Sequence, residues 1–320
     1  MKSLLSLLIT LAATGIWAQP IVIAHRGASG YLPEHTLPAK ALAYAQGADF
    51  LEQDIVLSKD DVPVVLHDTQ IDTVTDVATR FPDRKRPDGR YYALDFTLAE
   101  LKQLQVTERF DAKTGKQVYP GRFPGGTSRF EIATLEEELQ FIQGLNHSTG
   151  GKTGIYPEIK RPAWHRDQGH DISTIVLPVL RKYGYATKED ACWLQCFEWP
   201  EVQRLRTELG WQGRLVLLMG GSDKAVLADV AQIADGIGPP INSVVAGKTV
   251  AERHITSLVA NAHAVGLKVH PYTLRVDDLP KCVRSADELL ELLVNEAGID
   301  GLFTDFPDVM VQWRSKRPQK

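Results

Sequence analysis

The chain has 320 residues, 43% of them hydrophobic and 24% charged, with a formal net charge of −4. Nothing in that balance suggests a nucleic acid or an anionic membrane as partner, since either would select a basic surface. The length is ample for one large core, as one α/β barrel or as two smaller domains.

Residues 1–18 have a charged start at Lys2, an apolar run through Ala13 and small residues up to Ala18. That is the layout of a secretory signal peptide with cleavage after Ala18, although Ile16 is larger than the ideal alanine at that position. The run is short for a transmembrane helix, and an uncleaved anchor is the alternative reading. The domain is expected over 19–320. It contains three cysteines, Cys192, Cys196 and Cys282. Cys192 and Cys196 share one apparent strand, where four residues span ~13 Å, too far for a disulfide. A bridge from Cys282 to either is not decided by spacing.

In chain order, IVIA over 21–24 reads as a first strand, followed by a Gly-rich turn. Thr36 caps a helix over 37–46 that Gly47 stops. Strands follow over 50–57 and 62–66, joined by the polar turn Ser58-Lys59-Asp60-Asp61. Residues 69–132 break the rhythm and read as an insertion. They show little periodicity beyond a short helical pattern after Phe96, and the basic stretch 80–90, interleaved with Asp83 and Asp88, reads as a solvated loop. Alternation then resumes. Thr134 and Glu137 form a capping box for the next helix. Strands are expected over 155–159, 191–197, 214–219, 237–238, 267–272 and 301–304. Helices are expected over 171–183, 200–209, 224–234, 250–265 and 286–297, with a short one after Pro307.

About eight β/α units predict a parallel (β/α)8 TIM barrel, distorted by the segment 69–132 inserted after the second unit. An open doubly wound sheet is the runner-up, but its G-x-G-x-x-G fingerprint is missing from the first turn.

Ionisable residues cluster where a barrel carries its chemistry, at the carboxyl ends of strands. His25 and Arg26 follow strand one, Glu52 and Asp54 lie within FLEQDIVL, His67 and Asp68 close VPVVL, and Glu158 and Lys160 end YPEIK. Unpaired charges in such apolar runs cost several kcal/mol each, roughly, so partners must exist. Strand periodicity puts Glu52 and Asp54 on one face. With Glu158 they offer a hard, all-oxygen site for Ca²⁺ or Mg²⁺ rather than Zn²⁺. The alternative is an ion-pair network joining Glu52 to Arg26 or Lys160. His25 and His67 fit a general acid and a general base, and Arg26 and Lys160 fit a phosphate. Gln195, Phe197, His270, Tyr272 and Asp305 are further strand-end candidates, although ordinary packing explains the aromatics equally well. His35, His147, His165, His170, His254 and His263 read as surface or structural.

These residues resemble the glycerophosphodiester phosphodiesterase family, and closely its bacterial periplasmic branch. The resemblance rests on the stretch from IVIAHRGASGYLPEHT to VPVVLHD, then IYPEIK, WLQCF, DGIGP, KVHPYTLR and GLFTDFPD, in order. It implies a distorted TIM barrel with an insertion. It implies one divalent ion, Ca²⁺ in this branch with Mg²⁺ as alternative, on Glu52, Asp54 and Glu158, with His25 and His67 as acid/base pair. Arg26 and Lys160 are implied near the phosphate, with Gln195, Phe197 and Tyr272 as substrate-side candidates. It implies hydrolysis of small glycerophosphodiesters, such as glycerophosphocholine and glycerophosphoethanolamine, to glycerol 3-phosphate and an alcohol in the periplasm. No stable membrane insertion is expected, and a homodimer is left open. Two departures stand out: Pro33-Glu34-His35 where many members carry P-E-N, and a short stretch between Met219 and Asp235. A phosphodiester-binding protein without turnover and a lyase acting on intact lipid are the other function classes. Both histidines argue against the first. The second would need an apolar rim or amphipathic helix near the site, for which there is no clear candidate.

Overall fold

The computed structural model describes residues 19–220 and 226–316. The expected signal peptide therefore lies outside the described residues, as does the start of the helix expected over 224–234, of which Leu227–Val230 is helical. Among the described residues the strands are β1 Ile21–Ala24, β2 Phe50–Leu57, β3 Pro63–Val65, β4 Gly154–Ile159, β5 Trp193–Cys196, β6 Arg214–Leu218, β7 Gly236–Gly238, β8 Val245–Ala246, β9 His254–Ile255, β10 Lys268–Val269 and β11 Gly301–Thr304.

Eight of them form one parallel sheet in the order β10-β7-β6-β5-β4-β2-β1-β11. The chain running on from β10 closes it. Leu274 bridges Thr304 in parallel, and Leu274 N donates to Phe303 O at 2.8 Å. The predicted TIM barrel is borne out. β3 pairs antiparallel with β2 outside the barrel circuit, so 50–66 is one barrel unit with a hairpin extension.

The caps fall where the spacing puts them. Thr134 and Glu137 exchange their two hydrogen bonds at 2.8 and 3.1 Å, and the helix Leu135–Thr149 ends on Gly150 in the left-handed region. One expectation fails. Residues 250–265 are not one helix: His254–Ile255 pairs antiparallel with Val245–Ala246, and only Leu258–Ala264 is helical. The run Glu252-Arg253-His254 offers no apolar face to bury, while Thr256 N bonds Val244 O at 2.9 Å.

The insertion is folded rather than irregular. Ile71, Val74, Val77, Phe96, Leu101, Leu104 and Val106 form a second apolar cluster against Val56, Val64 and Leu66 of the hairpin. The basic stretch at its edge is ion-paired rather than merely solvated: Arg84 meets Glu100 at 2.9 Å and Arg86 meets Asp95 at 2.8 Å. All three cysteines are free and buried. No helix among the described residues is long and apolar enough to cross a membrane.

Period-two alternation positions the site. Ile23, Tyr156, Val216 and Phe303, with Phe50 and Trp193 against them, plug the barrel interior. Two residues further along five strands come His25, Glu52, Glu158, Gln195 and Asp305. One inward face therefore changes from apolar to ionisable within a single pleat, at the carboxyl end.

Candidate active site

Glu52, Asp54 and Glu158 come together. Each offers a carboxylate oxygen, all within 4.8 Å of one another, and all three side chains are buried. The parallel register that sets Asp54 beside Glu158 makes the meeting. Arg26 N donates to Glu52 Oε2 at 2.8 Å, and Gln195 Nε2 donates to Glu52 Oε1 at 3.1 Å. Lys160 Nζ sits 3.0 Å from Glu158 and 3.9 Å from Asp54. The network alternative does not hold as an ion pair of Glu52: Lys160 pairs with Glu158 instead, and Arg26 reaches Glu52 through its backbone N–H. His35, read from sequence as surface or structural, is buried and bonds Asp54 Oδ2 at 2.7 Å.

These partners do not satisfy the triad. Asp54 Oδ1 and Gln195 Oε1 are buried with no hydrogen-bond partner. Burial, then Asp54 and Glu158, push Glu52 well above the usual carboxyl range. Burial and Asp54 push Glu158 up to about 8 against the pull of Lys160. Asp54 is buried too, but Lys160 and His35 hold it well below its usual range. Three crowded carboxyls with an orphaned oxygen and no sulfur fit a hard divalent cation.

His25 is buried, and its Nδ1 bonds Asp305 Oδ1 at 2.5 Å. His67 is half-buried, and its Nδ1 bonds Asp68 Oδ1 at 2.8 Å. An aspartate on Nδ1 leaves Nε2 to the site. Burial and then Arg26 lower His25 to about 4, and burial, Arg26 and Lys160 lower His67 to about 4. Both rings are neutral at pH 7. They flank a cavity of ≈ 240 Å³ also lined by Arg26, Glu34, Glu108, Arg109, Tyr119 and Arg122. The cavity opens between the histidines and the insertion; the carboxylate triad lies beside it rather than in its lining.

Arg26 adopts a left-handed backbone, as does His35, and His35 N bonds Arg26 O at 2.9 Å. Such strain persists only where packing over-determines it. The Arg26 side chain bonds Glu34 at 2.9 Å. Phe197 and Tyr272 do not line that cavity: they meet edge to face at 5.9 Å, with Lys160 Nζ 5.8 Å from the Phe197 ring and Tyr272 packed against the barrel plug. Tyr272 Oη donates to Met219 O. His270 does not reach the site: it bonds Tyr156 Oη at 2.8 Å inside the barrel. Sequence reasoning missed Glu34, Arg109 and Arg122. The latter two lie in an insertion without periodicity, so no local pattern marks them.

Residues 25–309 match the profile of the Glycerophosphoryl diester phosphodiesterase family. The chain belongs to that family. It is a phosphoric diester hydrolase. The Haemophilus influenzae glycerophosphodiester phosphodiesterase is 45% identical over 334 residues, covering 95% of this chain and 92% of the relative. The enzyme of Treponema pallidum is 36% identical, covering 94% of each. Among solved structures, a family protein from Silicibacter pomeroyi superposes with a TM-score of 0.68 at 24% identity, covering 93% of this chain and 94% of that one. An Oleispira antarctica phosphodiesterase does so with a TM-score of 0.64 at 22% identity, covering 93% and 97%. At these identities the two structures speak for the shared barrel.

Proposed function

We propose that this phosphodiesterase hydrolyses glycerophosphodiesters left by phospholipid deacylation, such as glycerophosphocholine and glycerophosphoethanolamine, to glycerol 3-phosphate and an alcohol. The observation that carries this reading is the pair of aspartate-bonded histidines flanking one cavity beside the carboxylate triad. The Oleispira antarctica neighbour, described in complex with the product sn-glycerol-3-phosphate, supports it.

In this reading Glu52, Asp54 and Glu158 hold a divalent cation, Ca²⁺ in the first instance. When bound, it supplies charge neutralisation at the phosphoryl oxygens. Arg26 and Lys160 add positive charge from this chain's own side chains. One neutral histidine takes the proton of the glycerol hydroxyl next to the phosphoester, and that oxygen attacks phosphorus. The other histidine protonates the leaving alcohol. The phosphodiester anion between the rings raises the proton affinity of one of them, which supplies the acid. Water then opens the cyclic phosphodiester with the two roles reversed. Direct attack by water is the competing route, and detection of the cyclic species by phosphorus NMR separates the two.

The test is release of glycerol 3-phosphate from glycerophosphocholine, with thorough chelation and Ca²⁺ add-back. Chelation should abolish turnover and Ca²⁺ restore it; full activity after chelation would sink the cation. His25→Ala and His67→Ala should each lose nearly all turnover while still binding Ca²⁺. For location, residues 1–18 carry the reading of a secreted, periplasmic enzyme, which fractionation of expressing cells tests.

A further inference from the structure

The inserted segment reaches both aspartate–histidine pairs. Arg109 and Arg122 both come from the inserted segment 69–132. Arg109 Nη1 donates to Asp68 Oδ2 at 2.7 Å, the oxygen that His67 leaves free. Arg122 Nη2 donates to Asp305 Oδ2 at 2.7 Å, the oxygen that His25 leaves free. Two arginine–aspartate–histidine relays thus line one cavity.

We propose that the insertion is a positioning device for the reaction, in which Arg109 and Arg122 lock the two aspartate–histidine pairs so that Nε2 of each ring faces the phosphodiester. This rests on the acid/base reading of His25 and His67. Both arginines line the cavity but spend most of their N–H donors on protein partners. Arg109 gives Nε and Nη2 to Glu34, at 3.0 and 2.6 Å, and Nη1 to Asp68. Arg122 gives Nε and Nη2 to Asp277, shares Nη2 with Asp305, and points Nη1 at Ser29 O at 3.3 Å. Its guanidinium also stacks 3.8 Å from the Tyr119 ring centroid.

The relays differ in strength. Asp305 is buried and has a second clamp, Arg275 Nε at 2.9 Å. The Asp68 side chain is 34% exposed, and Arg109 is the arginine that restrains it. A partly exposed aspartate next in sequence to its histidine has other rotamers, and Arg109 selects the one that meets Nδ1. The His67 relay therefore depends more on its arginine than the His25 relay does.

The experiment measures kcat and KM on glycerophosphocholine for the Ca²⁺-loaded Arg109→Ala, Arg109→Lys and Arg122→Ala enzymes, beside His25→Ala and His67→Ala. Positioning predicts a kcat loss of about 10- to 100-fold for Arg109→Ala, as removing an orienting partner typically gives. KM should stay within about threefold, since the loss appears only in the transition state. Arg122→Ala should lose less, and added guanidinium should partly restore Arg109→Ala. Nitrogen NMR of histidine-labelled enzyme should show the His67 ring losing its fixed tautomer in the Arg109 variants. Unchanged kcat, or a raised KM at unchanged kcat, would overturn the proposal; the second result would make Arg109 a phosphate ligand. If Arg109→Ala does not fold, Arg109→Lys decides, because an ammonium cannot span Glu34 and Asp68 as a guanidinium does. Normal turnover in the histidine variants would overturn the acid/base pair instead. Dead histidine variants beside normal arginine variants would overturn positioning alone.

Discussion

Asp305 lies 280 residues from His25 in the chain, yet its Oδ1 accepts the His25 Nδ1 hydrogen bond at 2.5 Å. Parallel pairing of β1 with β11 makes the contact: Ala24 sits opposite Thr304, so each strand's next residue meets the other's. Asp305 also receives Arg122 and Arg275, and those charges with His25 hold its carboxyl well below the usual range despite burial. Asp305→Asn should keep the fold and lower kcat by about 100-fold or more with little change in KM, because an amide no longer selects the tautomer that presents Nε2. Steady-state kinetics with Ca²⁺ titration checks this; lost Ca²⁺ affinity would show instead that the triad had moved.

Cation binding should release protons. Without an ion, burial and the neighbouring carboxylates push Glu52 well above the ordinary carboxyl range and Glu158 up to about 8, so Glu158 carries a proton at pH 7. Ligation requires the ionised forms. Ca²⁺ affinity should therefore rise with pH up to about 8, with roughly one proton released per ion at pH 7 through Glu158. Calorimetry in buffers of different ionisation enthalpy measures the number, and a heat independent of buffer would contradict it.

Mild acid should destabilise the chain through histidines far from the chemistry. Burial lowers His165 and His270 from 6.5 to about 4. Between those values the unfolded chain binds protons that the folded chain does not, so stability falls as pH drops from 6.5 to about 4 and the loss is complete below it. Each contributes at most about 3 kcal/mol to the loss. Urea melts at pH 7, 5.5 and 4.5 should show the decline, and His270→Gln should reduce its slope, the rest coming from His165 and the site histidines lowered by the same burial.

Gly27 follows Arg26 with φ of +85°, and a Cβ there would meet the Ala39 backbone at 2.8 Å. Gly27→Ala should destabilise by about 1–3 kcal/mol, from conformational strain and the clash. It should also weaken turnover by shifting the Arg26 N–Glu52 bond. A thermal melt paired with an activity assay checks both, and a wild-type melting temperature would show that the helix Leu37–Ala45 can retreat.

The barrel was legible because its signals are local. A strand's period of two puts Glu52 and Asp54 on one face whatever the rest of the chain does, and Thr134 with Glu137 starts a helix within four residues. The expectation over 250–265 failed for a matching reason. Its hydrophobic spacing is weak, and a tertiary pairing of Val245–Ala246 with His254–Ile255 outweighs helix propensity there.

By itself the sequence determined which side chains share a strand face, since a strand's period of two depends on nothing outside the strand. It also carried the family resemblance through motifs from Ile21 to Pro307. Only the tertiary structure decided how those side chains are held. His35 is buried on Asp54, Arg109 reaches Asp68 across 41 residues, and Arg122 reaches Asp305 across 183. Such bonds join loops that have no periodicity of their own. Their geometry follows from how the insertion's apolar cluster seats on the hairpin β2–β3, a packing relation that no local stretch encodes.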